Sequence, residues 1–308
     1  MNTTLKHYGR IALLMAGITV VAAIITVFTG REGMQRAQKT VVTTTASLTA
    51  AVRAIVGDTD GVWVEKLTGS ATGCLHDYQL SPANRITLQR ADLLLLNGGG
   101  AEGFLEDTLA ALPDLPTVDT SAGVSLIEDE TQHDHDHGED GHHHAVNEHV
   151  WTGATRYAAQ VQAAVDALCA LDEENAQTYT ANGAAYIARV TALGERLRAA
   201  ADGLPSKNCV IFHNSLAYFA DELGLTVVAS LHIGEESGVS AANLAVAQTA
   251  AASDTQMLIL YDSQYAARYA SVDSLVADGH VLAIDTVVLG ADWLTAMENN
   301  AKLLEGLR

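Results

Sequence analysis

At 308 residues, 48% of them hydrophobic, the chain is long enough for two lobes of roughly 100–150 residues each. Its formal net charge of −20 argues against a nucleic-acid binder, because phosphates need Lys and Arg to displace their counterions. A surface this acidic suits a protein that attracts cations. The three cysteines, Cys74, Cys169 and Cys209, are too few and too scattered for a disulfide framework and read as small buried apolar residues.

The chain opens with an uninterrupted apolar run, Ile11 to Thr29, preceded by Lys6, His7 and Arg10 and followed by Arg31-Glu32. At about 1.5 Å per residue a helix here nearly spans a hydrocarbon core of about 30 Å. The basic flank keeps the N-terminus cytoplasmic and sends the remainder across the membrane. An uncleaved anchor and a cleaved signal both fit; no clear cleavage site follows Phe28, and no cysteine is placed to carry a lipid. Residues 1–39 are therefore expected to be anchor or signal plus spacer, with the protein extracytoplasmic.

Beyond the spacer, Val41 to Thr45 reads as a strand, Ser47 to Val56 as a helix and Val62 to Leu67 as a strand. A Gly- and Ser-rich loop carrying His76 leads to helix Pro82 to Ala91, strand Leu93 to Asn97, a Gly98-Gly99-Gly100 turn and helix Glu102 to Leu112. The triple glycine fits neither nucleotide motif and is expected to make a tight turn. After a short strand, Thr117 to Asp119, the composition collapses from Glu128 to His144 into Glu, Asp, His and Gly, a segment that cannot bury a core. Helices are expected over Trp151 to Leu171 and Asp172 to Ala201, the second about 45 Å long. A further alternation follows: strands Cys209 to Phe212, Thr226 to Leu231, Met257 to Tyr261 and His280 to Ile284, and helices Ser215 to Leu223, Ser240 to Ala252, Gln264 to Ala277 and Ala291 to Leu307. The expected fold is α/β: two lobes, each a parallel sheet wrapped by helices, joined by one long spine helix. The boundaries are 40–150 for the first lobe, including a His-rich acidic loop 128–148, then 151–204 for the helices and 205–308 for the second lobe.

Ligands of open parallel sheets bind beyond the carboxyl ends of the strands. Four metal-competent side chains lie there, two from each lobe: His76, His149, His213 and Asp285. Three imidazoles and one carboxylate suit tetrahedral Zn²⁺, whereas Mn²⁺ prefers more oxygen. Each histidine must be neutral to bind, so affinity should fall below about pH 6. His133, His135, His137, His142, His143 and His144 precede His149 in a solvated run that is expected to collect metal weakly and raise its local concentration.

The VVTT at Val41 to Thr44, HDYQLSP at His76 to Pro82, ADLLLLNGGGAE at Ala91 to Glu102, the His run followed by NEHVW, FHNSLAYFADELGL at Phe212 to Leu225 and WLTAMENNAKLLEGL at Trp293 to Leu307 occur in an order and spacing that carry a resemblance. They resemble the zinc-uptake branch of the metal-binding solute-binding proteins of bacterial ABC importers (cluster A-I), over nearly all of Val41 to Leu307. The resemblance implies ligands at His76, His149, His213 and Asp285, a site between two lobes, Zn²⁺ as the transported ion and a cognate membrane permease as partner. It implies no enzymatic activity, and a monomer is expected. Glu148 departs from the family, which commonly has proline there, and His232 in the stretch LHIGEESG is unusual; whether Glu148, His232 or Glu235 adjusts the site stays open. A manganese receptor of the same family and a zinc-buffering or adhesion protein without a transporter are the alternatives. A zinc hydrolase is disfavoured because Asp285 fills the fourth position and no H-E-x-x-H helix exists.

Overall fold

A computed structural model describes residues 38–68, 75, 78–128, 146–231, 239–269, 272, 280–287 and 292–307. The chain divides into two units, Met1–Lys39 and Thr40–Arg308. The expected membrane segment, His76, the His133–His144 run, His232 and Glu235 all lie outside the described residues. Among the described residues no helix is long and apolar enough to cross a membrane.

The first sheet holds β1 (Lys39–Thr43), β2 (Val62–Lys66), β3 (Leu93–Leu96) and β4 (Thr117–Asp119) in the order β2-β1-β3-β4. The second repeats that order with β5 (Asn208–Ile211), β6 (Thr226–Ser230), β7 (Leu258–Asp262) and β8 (Val281–Ile284), arranged β6-β5-β7-β8. The pairings β1 with β3 and β5 with β7 are parallel, at registers Val42↔Leu94 and Val210↔Ile259. In each sheet the strand order reverses at this central pair, so a crevice opens beyond their carboxyl ends.

Helices α1 (Ala46–Val56), α2 (Pro82–Gln89) and α3 (Glu106–Ala110) belong to the first lobe, and α6 (Ala217–Glu222), α7 (Ala241–Ser253) and α8 (Trp293–Glu305) to the second. Between them run α4 (Ala154–Leu171) and the 27-residue α5 (Ala176–Asp202), which packs against α1 on one side and α8 on the other. One buried core joins the two lobes, from Val41 and Leu95 through Tyr157 and Tyr186 to Leu258 and Trp293, and a smaller cluster covers the other face of each sheet. Trp293 stacks on Tyr157 with ring centroids 4.7 Å apart, and the Tyr157 hydroxyl donates to the Ser47 carbonyl at 2.8 Å. Helices from both lobes thus share one apolar interior, which favours a rigid body over freely swinging halves.

Four expected elements differ in detail. Trp151 lies in a 3₁₀ turn, Val150–Thr152, ahead of α4. Its carbonyl accepts the Trp293 indole N–H (2.8 Å), and the Thr155 N–H goes to Glu222 Oε2. The spine helix begins at Ala176 after a 3₁₀ turn, and Asp172, expected at its start, is buried beneath it, accepting from Asn175 and Tyr179. Glu102 turns inward and does not open a helix; a 3₁₀ turn and the short α3 follow, and Pro113 lies just beyond their end. After β7 the described chain makes a 3₁₀ segment, Ser263–Arg268, kinked at Tyr265. There Tyr269 is drawn onto the sheet, its hydroxyl on the Phe212 carbonyl at 3.1 Å.

Candidate metal centre

At the crevice of the first sheet, the chain leaving β3 turns through three glycines that all adopt positive φ. A Cβ on Gly98 would sit 1.7 Å from Asp119 Oδ1, and one on Gly99 would sit 3.3 Å from Glu148 Cα, so the turn admits glycine alone and lets the His149 loop approach the backbone. Glu102 fastens this turn from below: its carboxylate accepts from the Thr44 hydroxyl (2.6 Å), Asn97 N–H (2.8 Å) and Gly98 N–H (3.1 Å). Burial nevertheless raises its pKa to about 7, the hydrogen bonds offsetting only part of the desolvation. Asn97, held by Gln160, donates its side-chain N–H to the Glu148 carbonyl at 2.8 Å. The loop bearing His149 is therefore docked where the strand order reverses.

His149 itself sits at the centre of a tight turn in which Val150 N–H reaches back to the Glu148 carbonyl (2.8 Å). Its Nδ1 lies 3.0 Å from Asn147 Oδ1, an oxygen that can only accept. The proton must therefore be on Nδ1, so that Nε2 carries the acceptor lone pair of the neutral ring. The Asn147 amide also donates to the Asn214 carbonyl (2.7 Å), and Thr152 Oγ1 lies within bonding distance of the His149 and Ser215 carbonyls.

Across the crevice, His213 follows β5 with Phe212 between them, and its Nδ1 accepts the Ser215 N–H at 3.0 Å. His149 and His213 are both buried, and their rings meet edge to face with centroids 5.4 Å apart. Two imidazoles bound through one nitrogen each to a tetrahedral ion would have centroids roughly 5 Å apart. The structure thus brings together two of the four expected ligands, one from each side.

Asp285 follows β8, its backbone clasped on both faces by the Asn300 side chain (3.0 and 2.9 Å). Its carboxylate accepts the Val287 N–H at 2.9 Å, and Val287, buried and β-branched, is held at φ +68. Such a conformation costs on the order of 1–3 kcal/mol and persists only where surrounding contacts enforce it. Thr286 links this strand end to the His149 turn, since its carbonyl accepts the Trp151 indole N–H at 2.7 Å. Among the described residues no three His, Cys, Asp or Glu side chains converge closely enough to hold a metal ion. His76 and the six histidines of the acidic run lie outside the described residues.

Two acidic residues escaped the strand-end reading. Asp262, the last residue of β7, is fully buried and accepts from Thr286 Oγ1 (2.5 Å) and Gln264 Nε2 (2.7 Å). Burial, with a smaller contribution from the Asp285 charge, raises its pKa to about 6. The same strand-end rule that selected Asp285 would have found it. Glu148 is buried too, with Oε1 3.9 Å from His149 Nε2. Of the cysteines, Cys209 is fully buried and its thiol is pushed up to about 12, consistent with a small apolar role, whereas Cys169 is half-buried.

The family model described as zinc-uptake complex component A, periplasmic, matches residues 41–306. The zinc-binding lipoprotein AdcA of Streptococcus pneumoniae is 29% identical over 240 residues, covering 77% of this chain and 47% of that protein. The high-affinity zinc uptake system protein ZnuA of Paracoccus denitrificans is 30% identical over 235 residues, covering 66% and 70%. The chain thus spans about half the length of the AdcA proteins it matches. A crystal structure of ZnuA superposes with a TM-score of 0.70 at 24% identity, over 88% of this chain and 99% of that one. Zn(II)-bound AdcA from Streptococcus pneumoniae superposes with a TM-score of 0.68 at 23% identity, over 88% and 57%. At these identities the two superpositions establish the shared fold, two parallel sheets bridged by a long helix.

Proposed function

The chain belongs to the family of the periplasmic component A of zinc-uptake complexes, and from that membership we propose that it captures Zn²⁺ outside the cytoplasm and presents it to an ABC permease. The meeting of the His149 and His213 rings, 5.4 Å apart across the crevice between the sheets, carries this reading. His76, His149, His213 and Asp285 form the primary site, three imidazole nitrogens and one carboxylate oxygen replacing the waters of the ion. No bond in a substrate is made or broken.

The surroundings suit capture more than catalysis. Asn147 sets the His149 tautomer, so one donor is presented to the ion before it arrives. Because the lobes share one core, release proceeds by movement of the ligand loops, with ligands leaving one at a time at the permease. The histidines from His133 to His144 act as an accessory collector, and residues 11–29 tether the chain to the membrane or direct its export. The receptor works as a monomer.

Growth under zinc chelation tests the transport role. A strain lacking this protein should stop growing at chelator concentrations the parent tolerates and recover on added Zn²⁺. Recovery should also follow expression of the chain without residues 133–144. Unimpaired growth of the deletion strain would assign the protein to buffering or adhesion and remove the importer reading.

A further inference from the structure

Resting on the zinc-capture reading, we propose that Trp151 is a positioning residue for Asp285, acting through the peptide plane that joins Thr286 to Val287. That one plane is gripped at both polar ends. Its carbonyl accepts the Trp151 indole N–H at 2.7 Å, and its N–H donates to Asp285 Oδ1 at 2.9 Å. Because C=O and N–H point to opposite sides of a trans peptide, the bond to Trp151 fixes which way the N–H faces. That N–H in turn holds one carboxylate oxygen of Asp285 and so fixes the rotation of the carboxylate. The indole is itself well placed: Trp151 is buried, and its carbonyl accepts the Trp293 indole N–H at 2.8 Å.

The neighbouring contacts hold the residues and leave the plane free to turn in place. Asn300 clasps the Asp285 backbone on both faces, the Thr286 hydroxyl donates to Asp262 Oδ2 at 2.5 Å, and Thr286 and Val287 are both 1% exposed. Val287 nevertheless stands at φ +68, a conformation that a β-branched residue resists. A half-turn of the plane about the line joining its two Cα atoms would carry that angle to about −110°, inside the extended region. Such a flip moves either residue little, but it breaks both hydrogen bonds at once. The Trp151 indole N–H therefore opposes the relaxation of Val287, and it ties the Asp285 turn to the Val150–Thr152 turn beside His149. Without that N–H the strain is released by the flip, and Asp285 loses the amide that aims its carboxylate.

The test introduces Trp151→Phe, which keeps a ring and loses the N–H, into the full chain and into its Val287→Gly variant, since glycine takes positive φ without strain. In metal-free protein, amide hydrogen exchange at residue 287 should accelerate at least about tenfold on Trp151→Phe, and less than about threefold where Val287→Gly is already present. Zn²⁺ affinity, from chelator competition, should follow the same pattern, about tenfold weaker with Val287 and nearly unchanged with glycine there. Equal losses in the two backgrounds, or exchange at residue 287 that Trp151→Phe leaves unaltered, overturn the proposal, because glycine would not spare a general loss of packing. Faster exchange with unchanged Zn²⁺ affinity also overturns it, since the plane then aims no ligand. Should Trp151→Phe fail to fold, the wild type decides. One flip frees the Trp151 indole proton and the Val287 amide together, so both should share one protection factor, below that of global unfolding. Unequal protection, or exchange through global unfolding alone, overturns the proposal. A wild-type chain that fails to retain Zn²⁺ would instead overturn the capture reading, while the metal-free exchange still tests the flip.

Discussion

The side-chain amide of Asn147 donates to the backbone carbonyl of Asn214 at 2.7 Å, joining the residue two places before His149 to the residue after His213. The same side chain accepts from His149 at both its backbone N–H and its Nδ1, each 3.0 Å away. One asparagine therefore sets the tautomer of one imidazole and the spacing between two. Asn147→Ala should weaken Zn²⁺ binding roughly ten- to a hundredfold, the usual loss when a ligand's orienting partner is removed. Chelator competition measures this, and circular dichroism should show an unchanged fold.

His213 carries the opposite constraint. Its Nδ1 accepts the Ser215 N–H, so the neutral ring has its proton on Nε2 and its lone pair committed to capping the turn Asn214–Leu216. An ion bound to Nδ1 displaces the Ser215 N–H, and an ion bound to Nε2 drives the proton onto Nδ1. Either way the cap is broken. The Ser215 amide resonance should shift markedly on Zn²⁺ loading and its hydrogen exchange should accelerate. An amide indifferent to Zn²⁺ would mean that His213 keeps its cap and lies outside the ligand set.

The charge state of Glu102 links stability to pH. In the folded protein its pKa rises from 4.5 to about 7, chiefly through burial. Between those values the folded state holds a proton that the unfolded chain releases, so this contribution is fully present below about 4.5 and is lost as pH rises through 7. A shift of this size corresponds to roughly 3 kcal/mol. In metal-free protein, urea denaturation at pH 4.5 and pH 7.5 should show this decline in the wild type, and Glu102→Gln should remove it.

Trp293, the first residue of α8, sits where α4 and the His149 turn meet, stacked on Tyr157 and donating its indole N–H to the Trp151 carbonyl. Trp293→Ala should destabilise the chain by about 3–5 kcal/mol. Trp293→Phe keeps the stacking and leaves the Trp151 carbonyl without that donor, at a loss nearer 1–2 kcal/mol. Urea unfolding monitored by circular dichroism separates the two.

Much of this architecture was readable in the residue order because parallel strands and their crossover helices have different hydrophobic periods. VVTT, LLLL, CVIF and LILYD stand out as buried runs, and the long polar-and-alanine stretch before Pro205 reads as a spine. His149 and His213 were singled out by one rule, that ligands gather beyond strand ends, and the structure places their rings edge to face. Asp262 obeys the same rule and was passed over because its neighbours Thr286 and Gln264, which accommodate a buried carboxylate, come from elsewhere in the fold or the next turn. The placement of the Glu148 backbone was equally hidden, since it depends on Asn97 and Gly99, some fifty residues away. Of the helix expected over Gln264 to Ala277, the stretch to Tyr269 is described: a 3₁₀ segment kinked at Tyr265, where the Tyr265 ring lies by His213 and the Tyr269 ring by Phe212.

The central claim, a tight zinc site built on the paired histidines of the crevice, is tested most directly by competitive titration of the full chain with Zn²⁺ and Mn²⁺, repeated on His149→Ala and His213→Ala. The expected result is one tight ion per chain, Zn²⁺ preferred over Mn²⁺, with Zn²⁺ affinity reduced at least about a hundredfold by either substitution. A wild-type preference for Mn²⁺, or tight Zn²⁺ binding that survives both substitutions, would contradict it.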